Sequence, residues 1–154
     1  MHPTPCIGRL VVGLIAAIST ALTQSQTHDP RALWLAMKRE LTSSRGEEYF
    51  KTGIQDALIP GLKGTLISAT LQPGVSQLIV GLTDSETPEA TLIFHNGDAR
   101  VKGQPKPGTE LEFTGMALEF TRDPFMLTFD VSLKGLKGLD LETAKPAPKK
   151  SPKK

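Results

Sequence analysis

Apolar residues recur at helical spacing after residue 29. Asp29 followed by Pro30 marks a helix start, with Asp as the N-cap and Pro at the first helical position. Three- and four-residue steps between the following apolar residues match the helical period of 3.6. The pattern therefore predicts a first helix with one apolar face. That face carries Leu33, Trp34, Met37 and Leu41.

A second helix is predicted directly after the first. Residues 44–47 read Ser-Arg-Gly-Glu, the S-x-x-E form of a capping box. Ile59-Pro60-Gly61 is expected to end this helix, so that residues 29–60 form a helical segment. The pair resembles a single tetratricopeptide-like unit, but one such unit cannot bury its own face, so we expect both helices to pack on the neighbouring domain. The apolar face of the second helix carries Phe50, Ile54, Ala57 and Leu58.

From residue 62 onward the hydrophobic period changes from 3.6 to 2, which predicts β-strands. Turn signals separate five such runs, and four Gly and Pro residues between positions 99 and 108 disfavour a helix there. We therefore expect a mainly β fold in which one or two short α-helices precede a small five-stranded barrel over residues 61–142. The predicted strands are Leu62–Leu71, Gln77–Leu82, Ala90–His95, Thr109–Phe120 and Phe125–Val131.

The fourth predicted strand lies in KPGTELEFTGMALEF, residues 106–120. Successive side chains in a strand point to opposite faces, so Leu111 and Phe113 are expected inside and their neighbours outside. Gly115 is expected to relieve crowding where the strand bends around a small barrel. Unless a bulge at that glycine resets the alternation, the inward set is expected to continue with Met116, Leu118 and Phe120.

The N-terminus has the layout of a secretory signal. His2 and Arg9 precede a short apolar run over residues 10–18, and small and polar residues follow. The run is short for a membrane span, which disfavours an anchor. We expect residues 1–21 to be a signal peptide that is cut after Ala21, with Ser25 as the second choice. The mature chain is then expected to be secreted or periplasmic.

Charge and cysteine content change with that processing. Cys6 precedes the apolar run and would be removed, so the mature chain would have no disulfide, thiolate metal site or cysteine nucleophile. Without Arg9 and five C-terminal lysines, 12 basic residues remain against 16 acidic ones, a net charge of −4. Residues 143–154 combine Pro and Lys without apolar periodicity, which predicts a disordered basic tail.

Two stretches carry a resemblance to a known fold. Lys63-Gly64-Thr65 opens the first strand, and residues 107–115, Pro-Gly-Thr-Glu-Leu-Glu-Phe-Thr-Gly, form the fourth. This pattern resembles the oligonucleotide/oligosaccharide-binding fold, or OB-fold. More narrowly, residues 46–142, and above all Asp-Pro-Phe-Met-Leu-Thr-Phe-Asp at 123–130, resemble an uncharacterised family of exported bacterial proteins whose barrel often follows tetratricopeptide repeats. That family supplies no catalytic or binding residues.

The OB-fold resemblance implies a binding face on the second and third strands. Single-stranded nucleic acid needs a cationic groove and aromatic platforms, whereas this face offers no Lys or Arg. We therefore expect nucleic acid not to bind through the barrel, and the ligand to be an unidentified glycan or envelope protein. The candidate ligand-binding residues on this face are Ile79, Thr91, Ile93 and His95.

Two further surfaces are candidates for partners. If the first helix does not dock, Trp34, Met37 and Leu41 form an exposed apolar stripe that would bind a protein; otherwise they anchor the helix by packing. The tail either binds polyanions without specificity or serves only solubility. Its cationic residues are Lys145, Lys149, Lys150, Lys153 and Lys154.

Catalytic and metal-binding signals are weak. His95 near Asp98 is the one arrangement that resembles a base with an acid, and a histidine at a strand end is more often a surface residue. Glu110 and Glu112 can share a cation but more often form a solvated face, and no metal motif is present. We expect no enzyme activity, no cofactor and no metal. The expected function is a non-catalytic β-barrel module for binding or scaffolding in the cell envelope, with an OB-type recognition domain for an oligosaccharide or oligonucleotide as the alternative.

Overall fold

The protein is described by a computed structural model over residues 29–97 and 99–143. The predicted signal peptide and the tail beyond residue 143 lie outside the described residues. Helix α1 spans Pro30–Thr42, and the Asp29 carboxylate accepts a hydrogen bond from the Arg31 amide at 3.0 Å. The predicted N-cap and Pro start of this helix are confirmed.

The second helix is shorter than predicted. Helix α2 spans Gly46–Tyr49 and continues as a π-helical turn over Phe50–Ile54. The predicted capping box is wrong, because the N-cap is Arg45 and its side chain makes no capping bond. The helical segment does not reach residue 60, since the backbone of residues 56 and 57 exchanges hydrogen bonds of 2.8 and 3.2 Å with Ala117 and draws the chain into the sheet.

Seven strands follow the helices. Three of them have 13 residues each, longer than the sequence pattern predicted. The first pairs with the fifth strand along one half and with the second along the other, whereas the fifth and sixth pair with each other along almost their whole length. Leu58, predicted on a helix, opens the first strand and is 69% exposed. The strands are β1 Leu58–Thr70, β2 Val75–Gly81, β3 Ala90–His95, β4 Ala99–Val101, β5 Glu110–Arg122, β6 Phe125–Lys137 and β7 Leu141–Thr143.

Five strands close into a barrel in the order β1-β2-β3-β6-β5, and β5 returns to β1. The β3–β6 pairing is parallel and the other barrel pairings are antiparallel. The prediction of a mainly β fold with a five-stranded barrel after two short helices is confirmed. Strands β4 and β7 form a separate two-stranded sheet that the sequence pattern missed, since Gly and Pro surround both short segments.

Helix α1 packs on the barrel. Trp34, Met37 and Leu41 are 1%, 4% and 0% exposed, so the exposed stripe that a partner would need is not present in this structure. The Trp34 ring meets Phe125 edge to face at a centroid distance of 5.9 Å, and Phe120 meets Phe125 at 5.8 Å. These rings join the helix to the β5–β6 hairpin, and the three α1 residues act as packing anchors.

The inward face of β5 differs from the prediction in its second half. Leu111 and Phe113 are buried as expected, but the inward set continues with Gly115 and Ala117 rather than with Met116 and Leu118. A Cβ at Gly115 would lie 3.0 Å from the Phe129 Cβ, so this position favours glycine. The alternation resets only at a bulge between residues 117 and 119, beyond which Phe120 is half-buried.

Candidate recognition face and adjoining groove

The strand registers align the outward side chains in two rows across the barrel. Each row crosses β1, β2, β3, β6 and β5, with one residue from each strand, and neighbouring strands lie about 4.8 Å apart. Because the barrel is closed, each row winds around it. We call the six row residues on the neighbouring strands β2, β3 and β6 the recognition face. The first row is Ser68, Ile79, Thr91, Thr128 and Glu119, and the second is Thr70, Gln77, Ile93, Asp130 and Met116.

Three of the four predicted ligand residues, Ile79, Thr91 and Ile93, lie on this face, although Thr91 is only 6% exposed. Ile79 and Thr91 are direct cross-strand partners, and Ile93 stands beside Gln77. Ile79 and Ile93 are half-buried, which gives each an accessible apolar surface within a polar surround. His95 is exposed at the end of β3, where it pairs with Val75, itself 45% exposed.

The two β6 residues of the recognition face were missed from the sequence. Thr128 and Asp130 join it through the parallel β3–β6 pairing. The alternation of polar Thr128 and Asp130 with buried neighbours indicated that they point outward. Which strand they would lie beside depends on a pairing between residues more than 30 positions apart in the chain, which no local pattern reports.

A groove of about 560 Å³ adjoins the recognition face. Its floor includes Gly81, two residues beyond Ile79 on the same side of β2, and the cross-strand neighbour of Gly81, Thr65. One wall is the N-terminal end of α1 with the β2–β3 loop, and the other is formed by β5 and β6. The charged residues that line it are Asp29, Arg31, Lys63, Asp84, Glu110, Glu112 and Lys137.

Most acidic groups in the groove are already paired within the chain. Glu112 lies 2.6 Å from the Lys137 ammonium and 3.8 Å from that of Lys63, and the pKa of Glu112 is lowered, chiefly by Lys137. The Asp84 carboxylate accepts bonds from the amides of Thr87 and Glu86, which lower its pKa. Two lysines thus already contact Glu112, and a cation shared by Glu110 and Glu112 would have to displace them.

A buried carboxylate connects α1 to the base of the β2–β3 loop. The Glu89 side chain is 2% exposed and accepts hydrogen bonds from Lys38 Nζ, the amides of Leu82 and Thr83, and the Thr83 hydroxyl. Trp34 Nε1 donates to that same hydroxyl at 3.3 Å. Burial alone would raise the pKa of Glu89, but these donors outweigh it and lower the pKa.

Other classes of site find little support within residues 29–97 and 99–143. Those residues contain no cluster of three or more His, Cys, Asp or Glu side chains able to hold a metal ion. None of the helices in that part of the chain is long and apolar enough to cross a membrane. Comparison with known proteins found no matching protein family, curated sequence or solved structure.

Proposed function

We propose that this protein is an exported, non-catalytic binding module that recognises an oligosaccharide on its recognition face. The closed order of the five barrel strands, with β3 and β6 parallel, supports the OB-type hypothesis. OB-folds bind oligosaccharides and oligonucleotides on the face that includes strands two and three. Export rests on the signal-like pattern of residues 1–21. A shortened N-terminus in mass spectra of the protein from the envelope fraction would support that part of the proposal.

The two cross-strand rows carry the proposal. Hydroxyl, amide and carboxylate groups alternate there with the half-buried Ile79 and Ile93. A sugar ring presents hydroxyls at its edge and C–H groups on its faces, so it suits a surface on which polar groups flank apolar ones. The spacing between strands, about 4.8 Å, is comparable to the length of one sugar unit along a chain.

Charge favours a glycan over a nucleic acid. Neither row contains Lys or Arg, whereas Asp130 and Glu119 would repel phosphates. Stacking of bases requires aromatic side chains, and both rows lack them. His95 at the end of β3 contributes one ring at the edge of the face, which suits a contact to one sugar better than a continuous stacking surface.

An amide NMR titration of residues 22–154 with neutral cello- and xylo-oligosaccharides tests this proposal. We expect shifts concentrated in β2, β3 and β6, and Ile93→Glu should weaken binding about tenfold or more, which corresponds to about 1.4 kcal/mol of lost contact. Leu35→Glu is the matched control, since Leu35 is 43% exposed on α1, away from the face. If neither neutral nor acidic oligosaccharides shift resonances in these strands, the proposal is wrong.

A further inference from the structure

The Asp130 carboxylate lies at one end of the recognition face without a cation beside it. Its cross-strand neighbours are Ile93 on β3 and Met116 on β5, and both are half-buried apolar side chains. Its neighbours on the same side of β6 are Thr128 and Ser132, which are uncharged. Within the described residues, Asp130 forms no ion pair. The face therefore presents one negative charge and no positive one.

The surrounding charges add to this negative potential. Glu119 follows Thr128 in the first row, one strand beyond the face, and is exposed. Along β6 the nearest cationic residue is Lys134, four positions after Asp130, which is about 13 Å in an extended strand and exceeds the Debye length at physiological salt. Residues 29–143 as a whole carry 12 basic side chains against 16 acidic ones. The charge distribution therefore favours a cationic ligand at this face and disfavours an anionic one.

A ligand that binds the face also removes water from Asp130. A sugar ring that packs on the half-buried Ile93 covers Asp130, its direct partner on the next strand about 4.8 Å away. An ionised carboxylate that loses water without gaining a counterion is costly, because bonds from neutral hydroxyls replace its hydration only in part. A protonated amine on the sugar supplies a hydrogen-bond donor together with the missing positive charge. This arrangement thus favours a ligand in which an ammonium group lies next to hydroxyls.

We infer that the ligand is an oligosaccharide of amino sugars, and that Asp130 binds the protonated amine of one sugar unit. This inference rests on the proposed function, because the sugar chain itself would lie on the recognition face. Ile79 and Ile93 then supply the affinity that all oligosaccharides of this shape share, and Asp130 selects the chain that carries free amines. The Gln77 amide and the Thr128 hydroxyl suit the sugar hydroxyls, since each can both donate and accept a hydrogen bond.

The test compares three oligosaccharides of equal length and linkage that differ in one group on each sugar. Cello-oligosaccharides carry a hydroxyl there, N-acetylchito-oligosaccharides a neutral amide, and chito-oligosaccharides a free amine. Isothermal titration calorimetry of residues 22–154 is done in mildly acidic buffer at low salt, in which the amine is protonated. The chito-oligosaccharide should bind about fivefold tighter than either neutral ligand, and added salt should reduce that difference.

Asp130→Asn keeps the size of the side chain and removes its charge. We expect this variant to bind the chito-oligosaccharide no more tightly than the neutral ligands, whose own affinities should stay the same. Asp140→Asn is the matched control, since Asp140 is an exposed aspartate between β6 and β7, outside the face. Thermal unfolding shows that each variant is folded, and the salt dependence tests the role of charge without any substitution.

The outcomes separate the two proposals. If all three oligosaccharides bind equally and Asp130→Asn changes nothing, the selection of amines is wrong and glycan recognition stands. If tri-lysine binds as tightly as the chito-oligosaccharide and also loses affinity in Asp130→Asn, the face responds to charge alone and the assignment of an amino sugar is wrong. If none of the oligosaccharides binds the folded protein, both proposals fail.

Discussion

Glu89→Gln removes one negative charge from the junction between α1 and the barrel while keeping the size of the side chain. The carboxylate is 2% exposed, and its four bonds come from three residues. Both backbone amides donate to Oε2, whereas Lys38 and the Thr83 hydroxyl donate to Oε1. A Gln that keeps its oxygen on the two amides therefore turns its NH₂ group toward the Lys38 ammonium, so that a donor faces a donor. Lys38 loses its counterion as well.

The size of the effect follows from burial. Breaking a fully buried ion pair costs about 3–5 kcal/mol, but Lys38 is 31% exposed and water can solvate it again. We therefore expect Glu89→Gln to lower the free energy of unfolding by about 2–3 kcal/mol, and the melting temperature by about 10 °C in a domain of this size. Lys38→Met should cost less, because Glu89 keeps three of its four donors.

The pH dependence gives an independent readout. Because the pKa of Glu89 in the folded chain lies below its ordinary value of 4.5, the stabilisation is complete above that value and is lost as the pH falls through the folded pKa. The difference between wild type and Glu89→Gln should be largest at neutral pH and should shrink in acid. Fluorescence of Trp34, the only tryptophan, together with circular dichroism follows the unfolding.

Glu142→Gln is the control for this experiment, since the pair of Glu142 with Arg100 is exposed and should leave the midpoint unchanged. An unaltered melting temperature for Glu89→Gln at neutral pH, with no change of the difference in acid, would refute the argument. It would mean that the hydrogen bonds to Glu89 do not hold α1 on the barrel.

Two further predictions concern packing. Trp34→Ala should destabilise the protein by about 3–5 kcal/mol, because the ring is 1% exposed and packs on Phe125; a loss below about 1 kcal/mol in urea unfolding would show that α1 does not dock as described. Gly138→Ala should also destabilise it, by more than about 1 kcal/mol, since Gly138 has φ +98° and an added Cβ would lie 2.1 Å from the Glu110 carbonyl oxygen. Gly97→Ala, with open space around it, should be close to neutral in the same thermal melts, and equal melting temperatures for the two variants would contradict this assignment.

The local sequence pattern correctly predicted those structural features that are determined by residues adjacent in the chain. The start of α1 followed from Asp29 and Pro30, and the inward positions Leu111 and Phe113 followed from strand alternation. The five-stranded barrel followed from the number and spacing of the apolar runs. The outward position of Ile79, Thr91 and Ile93 on one face also came from alternation alone, so part of the candidate site was readable from the sequence.

Tertiary contacts decided the rest. Leu58 has helical spacing with Phe50 and Ile54, yet it lies in β1 because Ala117 bonds to the backbone just before it. Asp130 joined the recognition face, and Arg31 the groove, through neighbours far away in the chain. Hydrophobic periodicity tells which way a side chain points within its own element, but only the closure of the barrel and the docking of α1 determine which side chains meet.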